Sequence, residues 1–369
     1  MADPKRKIPY NYTSADDDRI IRHLFGSELL KVINTLEQRK ETGRSSRLLH
    51  RFMGDLFIIQ RNPFLFQELV EYPGQRRKLF AAFQADLDFI HENAKDHDVE
   101  KVYNACREKL DELQRKIATL QAEQSRIKKH LRTVIGKDNI YFDPFNLTAH
   151  ATDATDWRMF LPVAVLRPDH ASQVPLILQK VQALGFNVIP RGGGTGLTGG
   201  ATPLSDRCVM INTEKLNRIG DIEYSTTADG REFASLYVEA GVITQDAIDF
   251  ARSKGYIFAT DPTSAWACTI GGNVAENAGG KQAVLFGTAI DNLLGYTIVM
   301  PDSGVYAVQR LNHPLRKIHP EDRVEFEITD LTNQESRMIS LSGEDIRKKD
   351  LGKDVTNKAL NGLYGIQKE

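Results

Sequence analysis

Pro190-Arg191-Gly192-Gly193-Gly194-Thr195-Gly196-Leu197-Thr198-Gly199-Gly200 is the stretch on which the reading of this chain turns. Glycine lacks a Cβ, so such a loop can adopt positive φ and let another backbone or a ligand approach closely. Successive N–H groups then converge, and converging N–H groups bind phosphate oxygens. Two familiar phosphate motifs bear on this loop. The Walker pattern GxxxxGK[ST] is absent, so an NTPase is not supported. The dinucleotide pattern GxGxxG matches formally at Gly194, Gly196 and Gly199, with Glu214 downstream. That pattern needs a helix opening inside the loop. Gly199, Gly200 and Pro203 leave no room for one, so the NAD reading is set aside.

Working outward, the loop sits in a β-α-β setting. Residues 161–168 (LPVAVLRP) read as a strand, 169–184 as a helix, 186–190 as a strand and 208–212 (CVMIN) as another. Further strands are expected at 235–239, 295–300, 304–309 and 323–329. A helix is expected at about 244–254, with Thr244 as its cap and Gly255 as its stop. A second glycine cluster follows: Asp261-Pro262-Thr263-Ser264, then Thr269-Ile270-Gly271-Gly272-Asn273-Val274-Ala275-Glu276-Asn277-Ala278-Gly279-Gly280. Two such loops, each after a β-rich run, suggest one long ligand clamped at two places.

The N-terminal part has a different texture. Helices are expected at 20–36, 47–57 and 74–93, punctuated by Pro63 and Pro73, with Asp16-Asp17-Asp18 at the start of the first. Cys106, Leu110, Leu113, Ile117, Leu120, Gln124, Ile127, Leu131 and Val134 recur in steps of four and three through 98–135. That is an a/d heptad seam with one polar member, on a helix on the order of 55 Å long. Such a seam serves either a coiled coil, including homo-oligomer pairing through 98–135, or antiparallel packing on earlier helices of the same chain. The second use is favoured. Gly136 is placed to end the helix. Residues 137–160 read as an irregular connector, and His150, Asp153 and Asp156 read as loop hydrogen-bonding groups rather than metal ligands.

Composition bounds the rest. The chain has 369 residues, 41% hydrophobic and 26% charged, and a net charge of −1. These are ordinary figures for a soluble globular protein without an overall nucleic-acid footprint. The charge is uneven: residues 1–137 carry 26 Lys and Arg against 20 Asp and Glu, and the remainder 22 against 29. A basic part can favour an acidic partner or a membrane surface, but a solvated helical face is the commoner cause. Cys106, Cys208 and Cys268 form no CxxC pair, so no zinc or iron–sulfur ligand set is encoded and no metal ligands are assigned. The isolated cysteines, and the lack of an apolar run behind MADPKRKIPYNY, point to the cytoplasm, with a membrane-peripheral seat as the variant.

Together these residues closely resemble the FAD-binding domain of the vanillyl-alcohol oxidase (PCMH-type) superfamily, nearest its D-lactate dehydrogenase and glycolate oxidase flavoprotein branch. The resemblance rests on PRGGGTGLTGG (190–200), DPTS (261–264), TIGGNVAENAGG (269–280), FGTAIDNLLGYTIVMPDSG (286–304) and GKDVT (352–356). It covers 160–369. The region before it looks like the extra N-terminal domain of large bacterial FAD-linked oxidases that also carry an iron–sulfur region. The expected architecture is α+β: an all-helical domain with a long heptad helix over 1–157, then a two-lobed PCMH-type FAD-binding domain over 158–369.

The resemblance implies that Arg191, Gly192, Gly193, Gly194, Thr195, Gly196 and Leu197 serve the FAD pyrophosphate. It places Gly241, Pro262, Thr263, Ser264, Thr269, Gly271, Gly272, Asn273, Asn277 and Gly279 along the cofactor. Relatives that bind FAD covalently have a His where this chain has Thr195, so non-covalent FAD is implied. Phe286 stands where close relatives usually have Tyr. In the family a Glu-Gly-Thr turn, a last strand and a cap domain follow the position of Glu369. The cap carries the acid–base residues, so no catalytic residue is assigned and the chain reads as a fragment, inactive alone. Any iron–sulfur cluster lies beyond residue 369. The implied function is hydride transfer from the Cα of a small D-2-hydroxyacid to flavin N5, with electrons passed to a quinone, cytochrome or iron–sulfur centre. A sugar or alcohol oxidase on the same fold, or a helical interaction module with a vestigial cofactor fold, are the alternatives. Gly193→Val is expected to abolish FAD uptake by filling the phosphate position.

Overall fold

The computed structural model describes residues 16–38, 43–93, 96–155, 160–227, 230–313, 316–349 and 359–368, with backbone alone from residue 347 onward. The readings placed on MADPKRKIPYNY, Asp156, GKDVT and Glu369 lie outside the described residues. The chain divides into two compact units, residues 1–125 with 143–145, and residues 126–142 with 146–369. The second unit thus reaches back into the C-terminal turns of the heptad helix, whereas the sequence reading drew its boundary after residue 157.

The first unit is helical: α1 (Asp17–Gln38), α2 (Arg44–Arg61), α3 (Pro63–Glu71), α4 (Pro73–Glu92) and the long α5 (His97–Ile135). Asp16 caps α1 by accepting the Arg19 N–H at 2.8 Å. Asn62 Oδ1 caps α3 by accepting from Phe64 N at 2.9 Å and Leu65 N at 3.3 Å. Pro63 and Pro73 each occupy a first helical turn, where a missing N–H costs nothing. So Pro63 starts a helix, α3, that periodicity alone does not reveal. The core gathers Ile20, Ile33, Phe52, Met53, Leu56, Phe83 and Leu87 together with Cys106, Leu110, Leu113 and Ile117 of the heptad seam.

The seam is therefore spent inside its own chain. Each buried Leu or Ile is worth about 2 kcal/mol, so baring it to pair with a second copy would be costly. Packing on the earlier helices of the same chain, the favoured use, is where Cys106, Leu110, Leu113 and Ile117 go. The seam's polar member Gln124 is buried and exchanges hydrogen bonds with buried Gln67, each at 3.4 Å. Gln124→Leu is expected to cost about 1–3 kcal/mol, because the buried Gln67 Oε1 loses its donor while Nε2 keeps only Glu71, at 3.4 Å. Adding Gln67→Leu should return most of that loss in a urea unfolding titration.

The second unit holds two sheets. The first is built from β1 (Ile140–Tyr141), β2 (Ala164–Leu166), β3 (Asn187–Arg191) and β4 (Cys208–Asn212), in the order β1-β2-β4-β3. β2 and β3 run parallel to β4, and β1 is antiparallel. Every residue of β4 is buried, as expected of CVMIN in a central parallel strand. The helix α7 (Val174–Ala183) connects β2 to β3, and Leu147 of α6 (Pro144–Ala149) packs on Val165 and Met210. The supposed irregular connector thus supplies a strand and a helix; both are too short to show periodicity.

The second sheet is antiparallel, with β5 (Ile219–Thr226), β6 (Glu232–Glu239), β8 (Leu293–Val299), β9 (Val305–Arg310), β10 (Arg323–Asp330), β11 (Ser336–Ser342) and β12 (Ala359–Lys368) in the order β11-β10-β9-β8-β12-β6-β5. β7 (Tyr256–Ile257) pairs the end of β12. α8 (Thr244–Ser253) and α9 (Ile270–Ala275) pack on this sheet through Ile248, Ala251, Ile270 and Val274 against Leu236, Val238 and Leu293. Gly255 ends α8 at φ +80° as expected. Thr244 is not its cap, however. Ile243 holds that place, and the buried Thr244 hydroxyl donates to the Cys268 carbonyl at 3.2 Å. Among the described residues, no helix is long and apolar enough to cross a membrane.

Candidate functional site

β3 ends on Arg191, opposite Asn212 at the end of β4, and the glycine loop begins there. The Arg191 side chain turns inward and is buried. Its Nη1 donates to the carbonyls of Thr152 at 2.7 Å and Ala201 at 3.0 Å, and its Nη2 to Ala149 at 3.3 Å. Burial holds the guanidinium below its ordinary pKa, with the Asp153 carboxylate opposing. Arg191 therefore ties both ends of the loop to the segment after α6. Gly194 has φ +67°, and a Cβ there would overlap the Arg191 guanidinium.

The second loop meets the first from the other side. Its turn is closed by Ala265 N to Pro262 O at 2.9 Å, and by Ala267 N and Cys268 N to Ser264 O, both at 2.8 Å. α9 is anchored to the turn after β6 by Ile270 N to Val242 O at 2.9 Å and Gly271 N to Ala240 O at 2.8 Å. A Cβ on Gly193 would overlap the Ala267 carbonyl oxygen, and one on Gly192 would overlap Thr269 Oγ1. Gly241 makes the same kind of approach to the Thr213 carbonyl. From the sequence these glycines read as making room for phosphate. The structure shows Gly192 and Gly193 first making room for the second loop. Gly196 faces open space, and a Cβ on Gly272 would meet only Thr269 Oγ1, at 3.5 Å.

The resulting cleft, of about 250 Å³, is lined by Arg191, Gly192, Gly193, Gly194, Thr195, Gly196, Pro262, Ser264, Thr269, Gly271, Gly272 and Asn273 among the residues expected there. A second groove of about 440 Å³ shares Arg191, Gly192, Gly193 and Thr269 with it and includes Gly241. The groove falls in the size range of small-molecule sites, roughly 300–1,000 Å³, and the cleft just below it. Leu197 and Thr263 are exposed outside the lining, and Gly279 packs near Ala283. Asn277 lines a different, apolar cavity of about 310 Å³ on the face of the second sheet. Its φ is +49°, and its Oδ1 accepts the Ile290 N–H at 3.0 Å.

Two observations show what the cleft can hold. Among the described residues, no backbone N–H from Gly192 to Gly200 donates to a protein acceptor, and neither does that of Gly272. Thr269 Oγ1, at the meeting point of the loops, is buried and also without a hydrogen-bond partner. A run of unmet donors around a cleft fits a phosphorylated ligand. The other polar groups of the walls are mostly self-satisfied. Asn273 Nδ2 donates to Thr244 Oγ1 at 2.7 Å, and Thr198 Oγ1 to Glu276 Oε1 at 3.1 Å.

Sequence reasoning missed Asp153, Thr213, Ala240, Cys268 and Glu276 in the cleft, and His150, Asn212, Glu214 and Asp246 in the groove. His150 is buried; its Nδ1 donates to the Asn146 carbonyl at 2.8 Å, and its Nε2 accepts from Asn212 Nδ2 at 2.8 Å. His150 and Asp153 are hydrogen-bonding groups as expected, and no cluster of metal-ligating side chains occurs among the described residues.

The glycine loop thus runs from strand to strand, β3 to β4, and opens no helix. Residues 162–308 match the family described as FAD binding domain, so the second unit carries an FAD-binding domain. Residues 3–115 match the family described as Protein of unknown function (DUF3683). The chain is 32% identical over 181 residues to glycolate oxidase subunit GlcD of Bacillus subtilis, spanning 48% of this chain and 36% of that protein. It is 29% identical over 176 residues to the mitochondrial D-2-hydroxyglutarate dehydrogenase of Arabidopsis thaliana, spanning 48% of this chain and 30% of that one. The chain therefore spans about a third of the length of these curated relatives. A structure of p-cresol methylhydroxylase is 18% identical, with a TM-score of 0.43, covering 51% of this chain and 36% of that one.

Proposed function

We propose that this chain is the FAD-binding portion of a flavin-dependent dehydrogenase of small D-2-hydroxyacids. The carrying observation is that the backbone N–H groups of Gly192 to Gly196, on the cleft lining, donate to no acceptor among the described residues, beside the orphaned Thr269 hydroxyl. Gly192–Gly196, Thr269 and Gly272 would hold the pyrophosphate, and Pro262, Ser264, Gly271 and Asn273 the parts of the cofactor beyond it. Thr195 offers no imidazole to the flavin, which supports non-covalent binding. Bound FAD would supply the two-electron acceptor for a hydride from the substrate Cα. Arg191 contributes by fixing both ends of the cradle, and the contact of Gly193 with Ala267 keeps the two loops at a fixed separation. The names of the relatives support a 2-hydroxyacid substrate. Electron transfer onward to a quinone, cytochrome or iron–sulfur centre, and a cytoplasmic setting with a membrane-peripheral variant, belong to the same reading.

The test is anaerobic reduction. Protein that extends beyond Glu369 and is loaded with FAD should lose its visible flavin absorbance when mixed with glycolate, D-lactate or D-2-hydroxyglutarate. Bleaching by sugars or simple alcohols, with none by any 2-hydroxyacid, would assign a different substrate class to the same fold.

A further inference from the structure

Asp153 is buried to 8% exposure and lies on the wall of the cofactor cleft. Its two oxygens differ. Oδ1 closes a short turn by accepting the Thr155 N–H at 2.9 Å and the Thr155 hydroxyl. Oδ2 is buried and has no hydrogen-bond partner among the described residues. An orphaned carboxylate oxygen in a closed wall is costly unless a donor reaches it. Arg191 does not fill that need with a hydrogen bond, since its Nη atoms donate to the Thr152, Ala201 and Ala149 carbonyls.

Resting on the FAD reading above, we propose that Asp153 Oδ2 accepts a hydrogen bond from a sugar hydroxyl of the cofactor. A carboxylate is a poor neighbour for phosphate, because like charges repel at close range. It is a good acceptor for an O–H, and a hydrogen bond to a charged group is worth more than a neutral one. In FAD, the groups bonded to the pyrophosphate on either side both carry hydroxyls: the ribityl chain and the adenosine ribose. Asp153 adjoins the cradle through Arg191, which holds the carbonyl of the residue just before it. The carboxylate thus reads the hydroxyl-bearing arm, while the glycine loop reads the phosphates.

The two roles predict opposite signs. Asp153→Asn should weaken FAD binding roughly 10- to 100-fold, the worth of a hydrogen bond to a charged group. The same variant should bind inorganic pyrophosphate as tightly as wild type or more tightly, since a negative charge has left the wall. Thr155→Val, which removes only the internal hydroxyl bond to Oδ1, should leave FAD affinity unchanged. ADP and FMN locate the hydroxyl: a loss confined to ADP assigns the ribose, and one confined to FMN assigns the ribityl chain. Unchanged FAD affinity in Asp153→Asn would overturn the proposal. Equal losses for FAD and pyrophosphate would too, because the carboxylate would then be supporting the cradle and not the ligand. Wild-type protein that takes up no FAD overturns the functional reading instead, so the two failures are distinguishable.

Discussion

Gly193→Val should give a protein that neither retains FAD nor melts at the wild-type temperature. The Cβ would overlap the Ala267 carbonyl oxygen, a backbone atom of a turn closed by three hydrogen bonds. Neither loop can yield cheaply, so the cost should reach about 3 kcal/mol or more, the upper range for overpacking. For a unit of this size that is a fall of roughly 10 °C in Tm. Gly196→Ala is the matched control. Its Cβ meets nothing within 4 Å, so its apo-protein should melt with wild type. Any loss of FAD affinity in Gly196→Ala then reports on the ligand alone. Equal melting of Gly193→Val and Gly196→Ala would show that the loops do not meet as described.

Arg191→Met should be at least as damaging. Three carbonyls lose a shared donor, and the Asp153 carboxylate loses its neighbouring positive charge in a buried setting. Removing one partner from a buried charged network costs about 3–5 kcal/mol. Lysine should not rescue it, because one ammonium cannot reproduce the planar fork that reaches Ala149, Thr152 and Ala201 together. Adding Asp153→Asn to Arg191→Met should recover part of the urea midpoint, since the uncompensated carboxylate is then gone. Strictly additive losses in the double variant would mean that the two residues do not share this network.

Much of this was legible in the sequence, for identifiable reasons. Runs such as CVMIN and the a/d seam of 98–135 carry strong periodic or continuous apolar signals, and β4 and α5 fall where those signals lie. The glycine loops were readable because few residue types can fill such positions. The partners that impose them were not. Gly193 was legible as a glycine, but its reason, the Ala267 carbonyl, is a contact between segments distant in sequence. β5 and β11 escaped notice because edge strands face solvent: IGDIEYST and SRMISLS show little alternation. Asn277 looked like a cofactor ligand because it sits in the second glycine cluster. Its left-handed backbone and its bond to Ile290 N are settled by the fold. Asp153 was visible as one polar residue of a connector, and only burial beside Arg191 marks it as more.

The central claim is that the cleft between the two glycine loops is an FAD site. A calorimetric titration of FAD into the purified protein, repeated in the presence of ADP, tests it most directly. The account predicts saturable binding of one FAD per chain, weakened by ADP and by Gly193→Val. A titration without heat, together with no rise in Tm at any FAD concentration, would contradict it.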